Sequence, residues 1–237
     1  MARVARKARR PATRRTTSGR RRAAAPADGR ARLFTAGLAL AQSGGLRRLT
    51  VRGLAAAAGV NLGSFVYHFG TRDAFVGELI EHWYAPFYER LQTTVDRNDA
   101  PLERLRALLI ELAGFLIDNR VFLTHVILDA AAGEAGARAF TQSLAGRHPA
   151  LVLHAIGEAQ QTGALATGNP LHQMMFFFAS LGAPILVLGG LASSGLFDKA
   201  LAALILPIVL DRAAAETRID WALRGLAPMP QSTRNVR

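Results

Sequence analysis

The chain has 237 residues, half of them hydrophobic, so it is long enough to bury one large core or two smaller ones. It contains no cysteine, which excludes disulfide bonds and thiolate-ligated zinc and suits a reducing cytoplasm. The net charge of +12 is concentrated at one end, because residues 1–30 hold eleven Arg or Lys and one acidic residue, Asp28. We therefore expect a nearly neutral globular part with a basic extension.

The basic extension covers residues 1–29, which are rich in arginine and poor in large apolar side chains. Such a segment cannot bury enough surface to fold alone, so we predict a disordered arm. One interpretation is a solvated tail that only helps solubility. The other, which we favour, is an electrostatic arm that binds phosphates or follows the minor groove of a nucleic acid.

Residues 30–75 carry the start and stop signals of several helices. Thr50, Asn61 and Thr71 are residue types that cap helix N-termini, and Gly59 suits a left-handed residue at a helix end. The pattern predicts an amphipathic helix at 30–43, short helices at 51–58 and 62–68, and a longer helix after Thr71. Two short helices joined by a glycine-containing turn, with Leu54, Val60, Phe65 and Phe69 as their core, form a helix-turn-helix.

The stretch GVNLGSFVYHFGTRDAF, residues 59–75, resembles the recognition segment of the TetR (tetracycline-repressor) family. The positions that match this family in identity or type are Gly59, Val60, Ser64, Phe65, His68, Phe69, Arg72, Asp73 and Phe75. The preceding LTVRGLA is similar to the family's helix entry. Leu62, Gly63 and Gly70 depart from the pattern, and the second short helix has no Lys or Arg, which leaves the pattern of base recognition open.

The resemblance implies that residues 30–75 bind double-stranded DNA, with the second short helix facing the major groove. Asn61, Ser64, Tyr67 and His68 have hydrogen-bonding groups that reach base edges or phosphates. We predict that DNA is contacted by Thr50, Arg52, Asn61, Leu62, Gly63, Ser64, Tyr67, His68, Thr71 and Arg72.

The remaining residues predict further helices and no strands. We expect one long helix from Thr71 to about Arg97 with a kink or break at Pro86. The other expected helices cover 101–119, 121–132, 137–162 with an interruption at 147–149, 171–191 and 196–223, the last two with kinks at Pro184 and Pro207. Residues 226–237 are expected to be frayed. The predicted protein is all-α, with an N-terminal three-helix helix-turn-helix domain and a larger helical domain over 76–225.

The resemblance also implies that the larger domain binds a small-molecule effector and forms a homodimer mainly through its last two helices. The candidate effector-binding residues are aromatic or polar side chains on apolar helices: Trp83, Phe87, Phe115, Phe122, His125, Asp129, His154, Met174 and Phe178. Their surroundings contain little charge, so we expect an apolar, aromatic or weakly polar effector. His125 and Asp129 lie one turn apart and are interpreted as a satisfied buried pair or as pocket-lining polar groups.

We find no motif for catalysis, metal binding or a nucleotide cofactor, so we expect neither an enzyme nor a cofactor. The main prediction is a ligand-responsive transcriptional repressor that binds a near-palindromic operator as a dimer. The alternative is an architectural protein that binds nucleic acid non-specifically through its arginine-rich arm. A third reading, a membrane span at 174–192, is disfavoured because that stretch holds a proline and several glycines and lacks an aromatic belt.

Overall fold

The computed structural model describes residues 26–193 and 195–229, and the residues it describes form helices and no β-strands, as predicted. The predicted arm lies outside the described residues except for residues 26–29, which are helical because α1 begins at Pro26. The N-terminal domain consists of α1 Pro26–Gly44, a 3₁₀ turn Leu46–Arg48, α2 Val51–Ala58 and α3 Leu62–Phe69. The C-terminal domain consists of α4 Arg72–Val95, α5 Pro101–Ala131, α6 Ala135–Ser143, α7 His148–Gln161, α8 Pro170–Phe177, α9 Gly189–Ser193, α10 Lys199–Leu210 and α11 Arg212–Gly225.

A cluster of aromatic rings holds the three N-terminal helices together. Phe69 of α3 meets Phe34 of α1 and Phe75 of α4 edge-on, with ring centroids 5.3 Å and 4.9 Å away. Phe65 and Phe75 are fully buried. Because Phe75 lies in the first turn of α4, that helix completes the N-terminal core, and the start of the C-terminal domain is fixed to the recognition helix.

The two longest helices are more continuous than the sequence predicted. α4 passes Pro86 without a break. α5 is a single helix of 31 residues, so the predicted break near Asn119 is wrong. The Asn119 amide donates to the Phe115 carbonyl inside the helix, while its oxygen accepts from the Trp83 indole on α4 at 2.8 Å. A residue type that often ends helices is thus fully hydrogen-bonded within one.

The segment between α8 and α9 is helical but irregular. Two π-helical turns, Phe178–Gly182 and Pro184–Leu188, connect the two helices into one apolar stretch. Pro184 has no backbone N–H, so it cannot continue the ordinary ladder of hydrogen bonds, and the wider turns accommodate it. The sequence predicted a kink at this proline, and the structure replaces it with a local change of helix type.

The last predicted helix is two helices. The chain breaks at Asp211 rather than bending at Pro207, and the Asp211 side chain accepts from the Ala214 N–H at 2.7 Å to cap α11. Arg218 of α11 donates to the Ile208 carbonyl at 2.6 Å, which satisfies the end of α10. α11 ends at Gly225, and the Leu226 carbonyl accepts from the Ala166 N–H, so residue 226, the first of the segment predicted to be frayed, is held in place. Residues 230–237 of that segment lie outside the described residues.

A large apolar surface remains exposed on the last helices. It comprises Leu171, Met175, Phe176, Phe178, Val187 and Leu188 from the α8–α9 stretch and Leu201, Leu204 and Ile208 from α10; we call it the apolar face. Among the described residues, Pro170–Ala192 meets the length and composition criteria for crossing a membrane, with a mean hydropathy of 2.0. Soluble monomers rarely expose a contiguous apolar area of this kind.

Candidate functional site

Three side-chain caps shape the helix-turn-helix. The Thr50 hydroxyl accepts from the Gly53 N–H at 3.1 Å, the Asn61 amide oxygen from the Ser64 N–H at 2.7 Å, and the Thr71 hydroxyl from the Ala74 N–H at 3.1 Å. Gly59 ends α2 in the left-handed conformation, with φ 62°. These are the caps that the sequence predicted, and they fix the angle at which α3 leaves the turn.

The outer face of α3 is exposed and mostly apolar. Tyr67 is 79% exposed, and Val66 and Leu62 are 57% and 46% exposed although both are large and hydrophobic. Four other predicted DNA-contacting residues, Thr50, Arg52, Gly63 and Thr71, are also exposed beside this face, as is the capping Asn61. A short helix that leaves apolar side chains uncovered while its inner face is fully buried has a surface suited to a partner.

Ser64 and His68 lie at the edge of α3 rather than on its outer face. Both are half-buried, and a side chain at Gly29 would place its Cβ 3.3 Å from the Ser64 hydroxyl and 3.4 Å from the His68 Nε2. The start of α1 therefore packs against these two residues. Of the predicted DNA-contacting residues, these two therefore lie at the border between α3 and α1 and not on the outer face with Tyr67.

Arg72 does not lie on the exposed face, and its predicted place among the DNA-contacting residues needs correction. Its guanidinium forms two hydrogen bonds with the Glu134 carboxylate, at 3.1 Å and 2.9 Å. It also donates to the Leu46 and Leu49 carbonyls at 2.7 Å and 2.8 Å. The hydrogen bonds to Glu134 raise the pKa of Arg72, so the cation is permanent. Arg72 thus ties the turn before α2 to the start of α6.

Asp129 makes a second connection between the domains. Its carboxylate accepts from the Leu46 N–H at 2.6 Å and more weakly from the Arg47 N–H at 3.4 Å. Gly45, with φ 81°, packs so closely that a Cβ there would lie 3.0 Å from this carboxylate and 3.3 Å from His125 Nδ1. His125 and Asp129 are therefore interdomain residues and not the pocket-lining residues that the sequence predicted. We call Arg72, Asp129 and Glu134 the interdomain clamp.

Two adjacent apolar cavities lie in the C-terminal domain. The first cavity, of about 270 Å³, lies among α5, α7 and the α8–α9 stretch. The second cavity, of about 210 Å³, lies mainly among α4, α5 and α6. Together they reach the volume of small-molecule sites, roughly 300–1,000 Å³. The residues that line both are Leu112, Leu116, His148 and Phe178. A single elongated ligand that displaces these side chains slightly would span both cavities.

Five of the predicted effector-binding residues line these cavities: Trp83, Phe87, Phe115, Met174 and Phe178. Phe122 does not, because it is buried behind Trp83 with ring centroids 4.7 Å apart. His154 points to solvent, with 66% of its side chain exposed and its Nε2 3.6 Å from Glu158. Aromatic residues on apolar helices thus mostly line the cavities, as the sequence predicted, whereas the predicted polar residues on these helices do not.

His148 is the polar group common to both cavities, and the sequence did not single it out. Its Nδ1 lies 2.9 Å from the Tyr84 hydroxyl. Burial, aided by the adjacent Arg147 charge, lowers the pKa of His148 to about 4, so the ring is neutral at pH 7. Burial raises the pKa of Tyr84 to about 12. The pair is 64 residues apart in sequence, so only the packing of α4 against α7 reveals it.

Comparison with known proteins identifies the N-terminal domain. Residues 33–79 match the family model described as bacterial regulatory proteins, tetR family. Over 64 residues the chain is 39% identical to the HTH-type transcriptional repressor KstR2 of Mycobacterium tuberculosis. This match covers 27% of the chain and 32% of that protein, so it spans about a third of the relative's length.

Solved structures resemble the chain over nearly its whole described length. A TetR transcription regulator from Haloarcula marismortui gives a TM-score of 0.60 at 16% identity, covering 85% of this chain and 100% of that one. The transcriptional regulator FadR from Bacillus subtilis, in complex with stearoyl-CoA, gives 0.58 at 15% identity, covering 77% and 98%. At such identities the likeness shows a shared fold, and a fold alone does not fix a ligand.

Proposed function

Because residues 33–79 match the tetR family model and the matched relative is a transcriptional repressor, we propose that this chain is a TetR-type repressor released from its operator by a small apolar effector. The observation that carries this proposal is a physical connection. Two of the helices that line the second cavity, α5 and α6, also position carboxylates of the interdomain clamp, because Asp129 lies on α5 and Glu134 directly precedes α6. Ligand occupancy and the position of the helix-turn-helix are therefore set by shared elements.

The exposed face of α3 is the proposed base-reading surface. It offers Leu62, Val66 and Tyr67, and apolar contact with thymine methyl groups is one way to read a major groove without charge. The exposed Arg47, Arg48 and Arg52 near the start of α2 supply phosphate contacts. Affinity thus comes from cations beside α3, and base preference comes from α3 itself.

The basic arm is proposed to extend this DNA-binding surface. α1 begins at Pro26, and its first turn lies against Ser64 and His68 at the edge of α3. The arginine-rich residues that precede α1 therefore join the domain next to the recognition helix. Arginines attached at this point are within reach of phosphates or a minor groove flanking the half-site.

The apolar face is proposed to form the homodimer interface. Pairing it with the same face of a second copy would remove Phe176, Phe178, Leu204 and their neighbours from water. A two-fold dimer would then place two α3 helices on successive major grooves, roughly 34–36 Å apart. The proposed operator is accordingly a near-palindrome.

The proposed coupling between effector binding and operator binding depends on the short distance along α5 and α6 between the second cavity and the interdomain clamp. Ile127 and Val126 line the second cavity within one turn of Asp129, and Phe140 lines it less than two turns after Glu134. A ligand that separates α5 from α6 moves the two carboxylates that hold Leu46 and Arg72. Operator affinity then falls, because the ligand favours an arrangement in which the two α3 helices no longer match the half-sites.

Selection of bound sequences from a random duplex pool tests this proposal. We expect one near-palindromic motif to be enriched, with half-sites about one helical turn apart. A variant lacking residues 2–22 should enrich the same motif with weaker binding and a flatter dependence of log affinity on log salt. Recovery of no motif by either protein would support the alternative, non-specific binding of nucleic acid through the arm.

A further inference from the structure

The polarity of the two cavities is confined to one region. No charged side chain among the described residues lines either cavity. His148 borders both, and Tyr84 and Thr141 border the second. Arg147, the cation next to His148 in sequence, is held by two hydrogen bonds to Glu81, at 2.8 Å and 2.9 Å. A ligand therefore meets one neutral imidazole, because the Tyr84 and Thr141 hydroxyls are already hydrogen-bonded to His148 and to the Arg138 carbonyl, and the rest of the lining is mainly hydrocarbon or aromatic.

The contact with Tyr84 decides which ring nitrogen of His148 carries the hydrogen. Among the described residues, His148 is the hydrogen-bond partner of the Tyr84 hydroxyl. If Nδ1–H donated to the phenol oxygen, the buried phenolic hydrogen would have no acceptor, which is unfavourable. The phenol therefore donates to Nδ1, and the hydrogen of the neutral ring resides on Nε2. His148 thus presents an N–H donor that Tyr84 holds in place.

We infer that the two cavities bind an uncharged, mainly hydrocarbon ligand whose carbonyl oxygen accepts a hydrogen bond from His148 Nε2. This inference rests on the proposed function and names the chemical class of its effector. A free carboxylate does not fit, because it would be buried without a cation to pair with it. A pure alkane fits the volume but leaves the buried imidazole donor unsatisfied.

Two classes of compound carry a carbonyl group on a hydrocarbon chain. A ketone or ester offers a carbonyl within a hydrocarbon chain and can be enclosed completely. The thioester of an acyl-CoA offers the same carbonyl, but its phosphates must remain outside, since no cation lines the cavities. Both classes place the acceptor oxygen at the imidazole that separates the two cavities, with hydrocarbon on one or both sides.

The chain contains its own reporter of binding. Trp83 lines the second cavity, and the other tryptophan, Trp221, is 61% exposed on α11. In a Trp221→Phe background, fluorescence therefore reports on the cavity alone. Four probes of matched length are titrated in the absence of DNA: 2-nonanone, nonane, nonanoate and nonanoyl-CoA. This assay is independent of repression, so a failure of the DNA-binding proposal does not affect it.

We expect 2-nonanone to bind about tenfold more tightly than nonane, the factor that one net hydrogen bond contributes. Nonanoate at pH 8 should bind more weakly than the ketone. Nonanoyl-CoA binding as tightly as the ketone would identify a thioester as the source of the carbonyl, and weaker binding would identify a ketone or ester. The His148→Leu variant should lose the tenfold preference for the ketone while retaining nonane binding.

Two further variants separate a specific role from a folding defect. His148→Gln retains an N–H donor at about the same position and should restore most of the preference for the ketone. Tyr84→Phe removes the hydroxyl that fixes the tautomer of the His148 imidazole. It should therefore reduce the preference for the ketone without abolishing nonane binding. The inference is overturned if ketone and alkane bind equally to the wild-type protein, if nonanoate binds best, if none of the four binds, or if His148→Leu keeps the preference.

Discussion

Both domains of this chain bury phenylalanine side chains, but exposed phenylalanines are found only in the C-terminal domain among the described residues. Phe65 and Phe75 in the N-terminal core are fully buried, whereas Phe176 and Phe178 in the C-terminal domain are 45% and 60% exposed. The N-terminal domain also encloses neither of the two apolar cavities described above. The C-terminal domain has an uncovered apolar face and two apolar cavities.

The difference indicates that the two domains have different roles. A domain that is internally complete can present one fixed surface, and this is what recognition of a regular duplex requires. A domain with unfilled volume and uncovered surface can be completed by other molecules, which in the proposed function are a ligand and a second copy of the chain. The interdomain clamp joins the two, so a change in the incomplete domain reaches the complete one.

The apolar face gives the largest expected effect. Leu204 is 68% exposed on α10, so Leu204→Glu is compatible with a folded monomer but buries a charge in a dimer. We expect dissociation of the dimer and loss of operator affinity on the order of 10³-fold, because two half-sites are no longer bound together. Sedimentation without detergent and operator titration measure the two effects.

Val121→Glu is the matched control, since Val121 is an exposed valine on α5 outside the apolar face. It should leave both the dimer and the operator affinity unchanged. A wild-type monomer, or a Leu204→Glu protein that remains dimeric, would contradict the proposal that the apolar face is the dimer interface.

The clamp gives the next largest effect, on stability. Arg72→Met leaves the Glu134 carboxylate, only 6% exposed, without its cation. We expect the free energy of unfolding to fall by about 2–3 kcal/mol, below the value for fully buried pairs because Arg72 is partly exposed. Adding Glu134→Gln should recover part of the loss, as a double-mutant cycle in urea would measure. Strictly additive losses would mean that the two side chains do not stabilise one another.

The cavity imidazole predicts a dependence of stability on pH. The folded-state pKa of His148, about 4, lies below the ordinary histidine value of 6.5, so between these values the unfolded chain binds more protons. Stability should therefore decrease as the pH falls from about 6.5 to 4, by on the order of 2 kcal/mol. His148→Leu should flatten this part of the profile in urea unfolding. An identical profile in both proteins would place the titrating group elsewhere.

Tyr67 gives the smallest effect, confined to DNA binding. Tyr67→Phe removes one hydroxyl from the exposed face of α3 and should reduce operator affinity by about 1 kcal/mol if that hydroxyl donates to a phosphate. Thermal stability should not change, because the side chain has few contacts. His68→Ala is the companion at the border with α1. Unaltered affinity in both variants would remove this part of α3 from the DNA-binding surface.

Local signals in the sequence predicted the N-terminal domain almost completely. Thr50, Gly59, Asn61 and Thr71 act on their own helix ends, so their neighbours suffice to predict their roles. The errors arise where distant contacts decide. Asn119 stays inside α5 because Trp83 on α4 binds it. Such long-range contacts leave no periodic trace in a single sequence.

Long-range contacts also explain why the roles of several functional residues could not be predicted from the sequence. Arg72 matches the TetR pattern, which predicts a contact with DNA, yet Glu134, 62 residues later, holds it at the clamp. The sequence places Asp129 among the candidate pocket residues, whereas its carboxylate accepts a hydrogen bond from the Leu46 N–H. His148 lay at a predicted helix boundary, and its role depends on Tyr84. In each case the partner belongs to another helix.

The central claim is that filling the cavities changes the spacing of the two helix-turn-helix domains. Because the chain has no cysteine, Ala39→Cys introduces one spin-label site on the exposed side of α1 in each protomer. Pulsed dipolar spectroscopy then measures the distance between the two N-terminal domains, with Ala213→Cys on α11 as the control within the C-terminal domain. On saturation with 2-nonanone, followed by Trp83 fluorescence, we expect the Ala39 distance to shift by several ångströms, about the size of a helix-turn displacement, while the Ala213 distance stays constant. An unchanged Ala39 distance with the cavities saturated would contradict the claim.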